Sequence, residues 1–185
     1  MGGRCTNVTV IATLLGVTEL VAKVENCWHG SQKIVLAKKV RFRNSCREIM
    51  SLEVRSQNNK VLFLVAYRSK EQLHFWDSLQ ECYNKAVIAG YSYIIIIGDR
   101  NADLSTQNGE LLLAFVEDNN LTKHINEPTR ITELTSSELD QIITNCEDLV
   151  SDVAATSAVS YNDHHTVSGK IKFNVKRPKA CQRLM

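Results

Sequence analysis

Two runs of apolar, β-compatible residues dominate the chain: Val61 to Tyr67 (VLFLVAY) and Ile94 to Ile97. Four consecutive isoleucines are too apolar and too β-branched for a half-exposed strand, so Ile94–Ile97 predicts a strand buried on both faces. Shorter stretches suit flanking strands: 33–40 is mostly apolar, and Ile49–Val54 alternates. Asn58-Asn59 is a turn signal in front of Val61, which predicts a β-hairpin over 49–67. Leu73, Trp76, Leu79, Tyr83, Ala86 and Val87 recur at helical spacing up to Gly90, and Ser69 and Gln72 are spaced as a capping box ahead of them. A shorter helix is predicted over Leu111–Val116, after Asn108-Gly109. Leu139–Thr144 predicts a strand, and Asp163-His164-His165 opens another that continues through Val167 to Val175. Helices and strands alternate, but hairpins also occur, so the pattern describes a layered α/β fold with mixed sheets.

At 185 residues the chain is one domain, long enough to bury a core without staples. Its two prolines, Pro128 and Pro178, leave no proline-rich linker. The net charge of +2 conceals an asymmetry: residues 1–60 carry 10 Lys/Arg against 4 acidic groups, whereas 61–175 carry 8 against 16. An acidic middle between basic arms fits a cation site beside a surface that grips an anionic polymer, and fits a solvated surface nearly as well. The six cysteines form no CxxC pair, which argues against structural zinc and for reduced thiols in an intracellular protein, nuclear or cytoplasmic. Met1 to Thr6 matches a loose myristoylation pattern, and Val8–Val17 has the apolar character of a short secretory signal. That stretch is far too short to span a bilayer, and a plain soluble start is favoured, with no membrane partner.

Polar groups collect at four strand ends. Tyr67 closes one apolar run, Asp99, Asn101 and Asp103 crowd the turn after Gly98, and Asp140 and the Asp163-His164 pair each open a strand. Ligands of open α/β sheets bind just outside the carboxyl ends of strands. Phosphodiester hydrolysis needs a metal-binding carboxylate, a base for the attacking water and groups that stabilise the charged transition state. An oxygen-rich inventory with few histidines suits Mg²⁺ (or Mn²⁺) better than Zn²⁺. Each residue also has a structural reading, Tyr67 as an edge residue, Asp140 as a cap and Asp163-His164 as a surface pair. Together, four strand ends carrying compatible chemistry favour a site. His165 lies one step along the strand and should face the other way.

The segments IIIIGDRNAD, INEPTRIT with SSELDQIITN, and NDHHTVSGKIK resemble the endonuclease domain of non-LTR retrotransposons, a branch of the endonuclease/exonuclease/phosphatase superfamily. The resemblance runs from about Lys33 to Val175, and Asn126 to Thr132 is especially characteristic of the retroelement branch. It implies a four-layered α/β sandwich of two mixed β-sheets flanked by helices, cutting DNA with Mg²⁺ or Mn²⁺ and no small-molecule cofactor. Carried over by motif, His164 is the general base, oriented by Asp140, and Asp163 is a metal-binding carboxylate. Asp99 and Asn101 match the pair that contacts the scissile phosphate and supports the leaving oxygen, and Tyr67 matches a tyrosine that hydrogen-bonds the phosphate. Arg68, Arg100 and Arg130 are candidate DNA contacts.

The family pattern begins with an Asn-containing strand and a second strand that ends in a metal-binding Glu; neither motif is found. Residues 1–32 are therefore expected to be a non-matching segment, 33–175 the domain with its first strands missing, and 176–185 a basic tail. Arg100 stands where the family has Phe, Gln141 where it has His, and Asn162 where it has Ser. The implied function is Mg²⁺-dependent target-site nicking of DNA. The rival is a truncated, inactive relic that at most binds DNA or protein. A small-substrate phosphatase is a third reading, against which the NEPTRIT segment argues.

Overall fold

The isoleucine run becomes the middle of a six-stranded sheet. In the computed structural model of the chain, the residues described are 6–10, 36–40, 48–56, 59–157 and 163–173. In chain order they form β1 (Thr6–Val10), β2 (Leu36–Val40), β3 (Ile49–Ser56), β4 (Asn59–Ala66), α1 (Phe75–Ile88), β5 (Tyr93–Asp99), α2 (Gln107–Asp118), β6 (Thr122–Lys123), β7 (Arg130–Ile131), β8 (Ser136–Ser137) and β9 (Asp140–Thr144). A 3₁₀ turn (Glu147–Leu149), β10 (Val150–Thr156) and β11 (Thr166–Phe173) complete them.

The large sheet has the order β2-β3-β4-β5-β9-β6, and a second sheet has the order β1-β11-β10. Only β4 and β5 run parallel in the large sheet, joined by the α1 crossover; β5 and β9 are antiparallel. The alternation along β5 assigns each isoleucine to a layer. Ile94 and Ile96 pack with Phe75, Leu79, Cys82, Leu112 and Phe115 of the two helices. Ile95 and Ile97 pack with Phe63, Ile142, Val167 and Ile171 between the sheets. Both faces of β5 are therefore dry, which is why its sequence shows no polar alternation. The expected mixed-sheet α/β sandwich is present, and among the described residues its helices lie on the outer face of the large sheet. No helix among the described residues is long and apolar enough to cross a membrane.

Several boundaries differ from expectation for physical reasons. α1 begins at Phe75, not behind Ser69, and its cap residue His74 makes no side-chain cap bond. Residues 68–69 are held elsewhere: the Arg68 N–H donates to the Asp99 carbonyl at 2.9 Å and the Ser69 N–H to the Glu48 carboxylate at 3.3 Å. Long-range bonds outbid a local capping box. α2 begins four residues earlier than expected, capped by Thr106, whose hydroxyl accepts from the Gly109 N–H at 3.4 Å. Gly109 is a glycine because a Cβ there would strike the backbone of Asp103 and Leu104. β1, which lies in the segment expected to be foreign, pairs with β11 from Thr6↔Phe173 to Val10↔Gly169. The turn residues 57–58 of the expected hairpin and the strand end at 174–175 lie outside the described residues.

Gly98 joins the sheet to the chemistry. Its φ of +132° is a conformation L side chains avoid, and a Cβ would collide with the Ala66 carbonyl. Gly98→Ala is expected to destabilise the protein by at least about 2 kcal/mol, read from the urea unfolding midpoint, since strain and a backbone clash add.

Candidate active site at the sheet rim

Strand pairing places two carboxylates side by side. The β5–β9 ladder runs from Ile95↔Thr144 to Asp99↔Asp140, so both acids leave the same face as Ile97 and Ile142, toward the second sheet. Asp140 is almost fully buried at 1 % exposure. Its Oδ2 faces His164 Nδ1 at 2.9 Å, and its Oδ1 has no hydrogen-bond partner. A carboxylate oxygen accepts, so Nδ1–H is the donor in this pair and Nε2 is the ring's basic nitrogen. Asp140 raises the His164 pKa above its ordinary 6.5, first through this hydrogen bond, against a smaller lowering by burial. Asp99 is pushed up by burial, opposed by the Asn101 N–H that donates to its Oδ1 at 2.8 Å.

Asn101 takes a left-handed turn at φ 44°, fixed by that bond and by its Nδ2, which donates to the Arg68 carbonyl at 2.8 Å. Tyr67, half-buried, follows β4 at the same rim, because β4 runs parallel to β5. Thus Asp99, Asn101, Asp140 and His164 are brought together, with Tyr67 on the neighbouring strand end.

The three arginines expected to meet DNA are placed differently. Arg68 is 6 % exposed, and its Nη1 donates to the Asn101 carbonyl at 3.1 Å, with the Arg100 carbonyl at 3.4 Å. It turns inward because those carbonyls have left the ladder where β5 ends. Arg100 is 0 % exposed; Nη1 donates to the Gly98 carbonyl, while Nε and Nη2 have no hydrogen-bond partner. Burial draws its pKa down to about 10, against the pull of Asp99 and Asp140, so it stays a cation at neutral pH. Neither guanidinium is at the surface. Arg130 is partly exposed, and its Nε donates to Asp163 Oδ2 at 2.6 Å.

Asp163, expected as a metal-binding carboxylate, is the acceptor of that bond. Asp99, Asp140 and His164 each offer a ligand atom, all within 4.8 Å of one another, and Asp163 is not in the group. Arg130 holds the Asp163 carboxyl below its usual range. The donor set of two carboxylates and an imidazole, with the orphaned Asp140 Oδ1, fits a divalent cation.

One positioning residue carried no expectation. Thr129, fully buried within the NEPTRIT segment, accepts through Oγ1 from the N–H groups of Leu139 at 3.0 Å and Asp140 at 2.9 Å. Its carbonyl accepts from the His165 N–H at 2.6 Å, and Arg130 bridges His164. One short segment therefore braces both members of the Asp140–His164 pair, and the only sequence signal for it was the motif itself.

No protein-family model and no curated protein sequence matches the chain. Among solved structures, the endonuclease domain of TRAS1, a telomere-specific non-LTR retrotransposon, matches with a TM-score of 0.60 at 15 % identity, over 74 % of this chain and 68 % of that one. The chain has the endonuclease/exonuclease/phosphatase fold. A protein of that name from Leptotrichia buccalis matches with a TM-score of 0.51 at 18 % identity, over 68 % of this chain and 53 % of its own. A nitrophorin from Cimex, solved as a ferrous NO complex, matches with a TM-score of 0.52 at 12 % identity, over 80 % of this chain and 68 % of its own. One fold thus serves different chemistries, and activity has to be argued from the rim residues.

Thr129→Val leaves two buried N–H groups without their acceptor and is expected to cost about 2–4 kcal/mol by urea denaturation, whereas Thr129→Ser stays within about 1 kcal/mol of the parent. The raised His164 pKa sets a sign for stability. The pair contributes fully below pH 6.5, and its contribution is lost as pH rises through the higher folded-state value. In metal-free buffer, Asp140→Asn should lower the His164 pKa seen by NMR titration; an unchanged value would remove Asp140 as its cause.

Proposed function

We propose that the chain is a divalent-metal-dependent DNA endonuclease of the retrotransposon type, hydrolysing a phosphodiester at the rim formed by Asp99, Asn101, Asp140 and His164. The observation that carries this reading is the 2.9 Å His164–Asp140 pair, with a second carboxylate directly across the ladder from Asp140. His164, held in one tautomer by Asp140, takes the proton of the attacking water at Nε2. The Asn101 amide carries two hydrogens, one committed to the Arg68 carbonyl, and the other serves a phosphate oxygen. Asp99 supports the leaving-oxygen side, and Tyr67 hydrogen-bonds the phosphate from the next strand end. Asp99 and Asp140 Oδ1 would hold Mg²⁺ or Mn²⁺, which when bound neutralises charge on the phosphate. Arg130, the one partly exposed member of the three arginines, is the DNA contact to favour, and the excess of Lys/Arg in residues 1–60 suits the same polymer.

A second reading, a non-catalytic domain that binds DNA or protein, is supported by one observation: Arg130 already holds Asp163, the carboxylate expected to bind metal, in an ion pair at 2.6 Å.

A supercoiled-plasmid assay separates the two. Nicking should need Mg²⁺, stop with EDTA and fall about 10²–10⁴-fold in His164→Ala. Folded protein that retards DNA on a gel without nicking it would favour the second reading, and nicking unchanged in His164→Ala would sink this assignment of the site.

A further inference from the structure

Arg68 is buried and takes no part in the proposed reaction, yet three of its groups are committed to a single turn. Its N–H donates to the Asp99 carbonyl at 2.9 Å, and its carbonyl accepts from Asn101 Nδ2 at 2.8 Å. Its Nη1 donates to the Asn101 carbonyl at 3.1 Å, with the Arg100 carbonyl at 3.4 Å. Those two carbonyls belong to the peptides on either side of the Asn101 Cα. Holding both fixes φ and ψ of Asn101, and with them the direction in which its side chain leaves the backbone. The restraint matters because Asn101 sits at φ 44°, a left-handed conformation that L residues hold only at a cost. The far side of Arg68 is anchored as well. The Tyr67 N–H donates to the Glu48 carbonyl at 3.0 Å, and the Ser69 N–H to the Glu48 carboxylate at 3.3 Å. Residues 67–69 are thus tied to Glu48, ahead of β3, on one side and to the Asp99–Asn101 turn on the other.

Resting on the phosphodiester reading above, we propose that Arg68 is the positioning residue of the phosphate contacts. It joins Tyr67 and Asn101, which come from different strand ends, into one rigid unit, and does not itself meet DNA. Tyr67 precedes it in the chain, and Asn101 is clasped by its main chain and its side chain together. With one amide hydrogen of Asn101 on the Arg68 carbonyl, the second is held in a fixed place. A donor set before the phosphate arrives costs no reorganisation at the moment of reaction. A guanidinium used in this way acts on rate, whereas one on the DNA backbone acts on affinity and its salt dependence.

Arg68→Met and Arg68→Lys test this. The methionine keeps the apolar stem and removes every donor, whereas the lysine Nζ, like Nη1, is a single nitrogen that can serve both carbonyls. In NMR without DNA, solvent exchange of the Asn101 Nδ2 protons should quicken about tenfold or more in Arg68→Met and return toward the parent in Arg68→Lys. Backbone N–H exchange across Ile94–Ile97 should stay as in the parent. In plasmid nicking, kcat should fall about 10²-fold in Arg68→Met, with KM and the salt slope of DNA binding unchanged. Unchanged Asn101 exchange overturns the proposal, and so does a quickening shared by Ile94–Ile97, which would mark a merely structural role. Weaker DNA binding with a salt slope lower by about one, the signature of a phosphate contact, overturns it too. If Arg68→Met does not fold, the parent decides: its Arg68 guanidinium N–H signals should be protected from solvent, and exchange as fast as in free arginine overturns the proposal. A parent that never nicks DNA, with Asn101 exchange responding as expected, leaves the positioning role standing and removes the nuclease reading instead.

Discussion

Two carboxylates held opposite each other across an antiparallel ladder are the constraint to which the rest of the site answers. Asp99 and Asp140 are paired by backbone register at the end of the β5–β9 ladder, so neither can move away without fraying it. Directly opposed like charges are unfavourable in any sheet, and burial of Asp140 to 1 % exposure removes the water that would screen them. Each neighbour relieves part of that cost. The Asn101 N–H caps one oxygen of Asp99, and His164 faces one oxygen of Asp140. The groups that make the rim reactive are also those that make it tolerable to fold.

Bringing His164 to Asp140 is a matter of sheet packing. Asp140 belongs to the large sheet and His164 opens the strand of the second, and the inter-sheet core of Ile97, Ile142, Val167 and Ile171 sets their separation. The segment from Thr129 to Ile131 spans that gap at the rim. It holds the start of β9 through the Thr129 hydroxyl, and the approach to β11 through backbone bonds to Asp163 and His165.

The architecture and the chemistry were legible to different depths. Ile94–Ile97 announced the central strand, because a strand dry on both faces has no polar alternation to confuse with anything else. The spacing from Leu73 to Val87 marked α1 for the same kind of reason. The two-residue strands β6, β7 and β8 and the half-exposed β10 escaped notice, since such strands leave little periodicity. Helix starts were misplaced where tertiary bonds overrode local signals, as at Ser69, or where a glycine served close packing instead of a turn, as at Gly109.

The sequence by itself determined the residue types and their order: an acid and an amide after a buried strand, an acid at the start of another, and an Asp-His pair at a third. That information is local, because strand ends and turn residues follow from short-range pattern. Only the tertiary structure decided which charges meet. It turned Arg68 and Arg100 inward, gave Asp163 to Arg130, and set Asp140 between Asp99 and His164. A charged side chain's partner is chosen by burial and by whatever lies across the ladder or the sheet interface, and neither is written in the residues next to it in the chain.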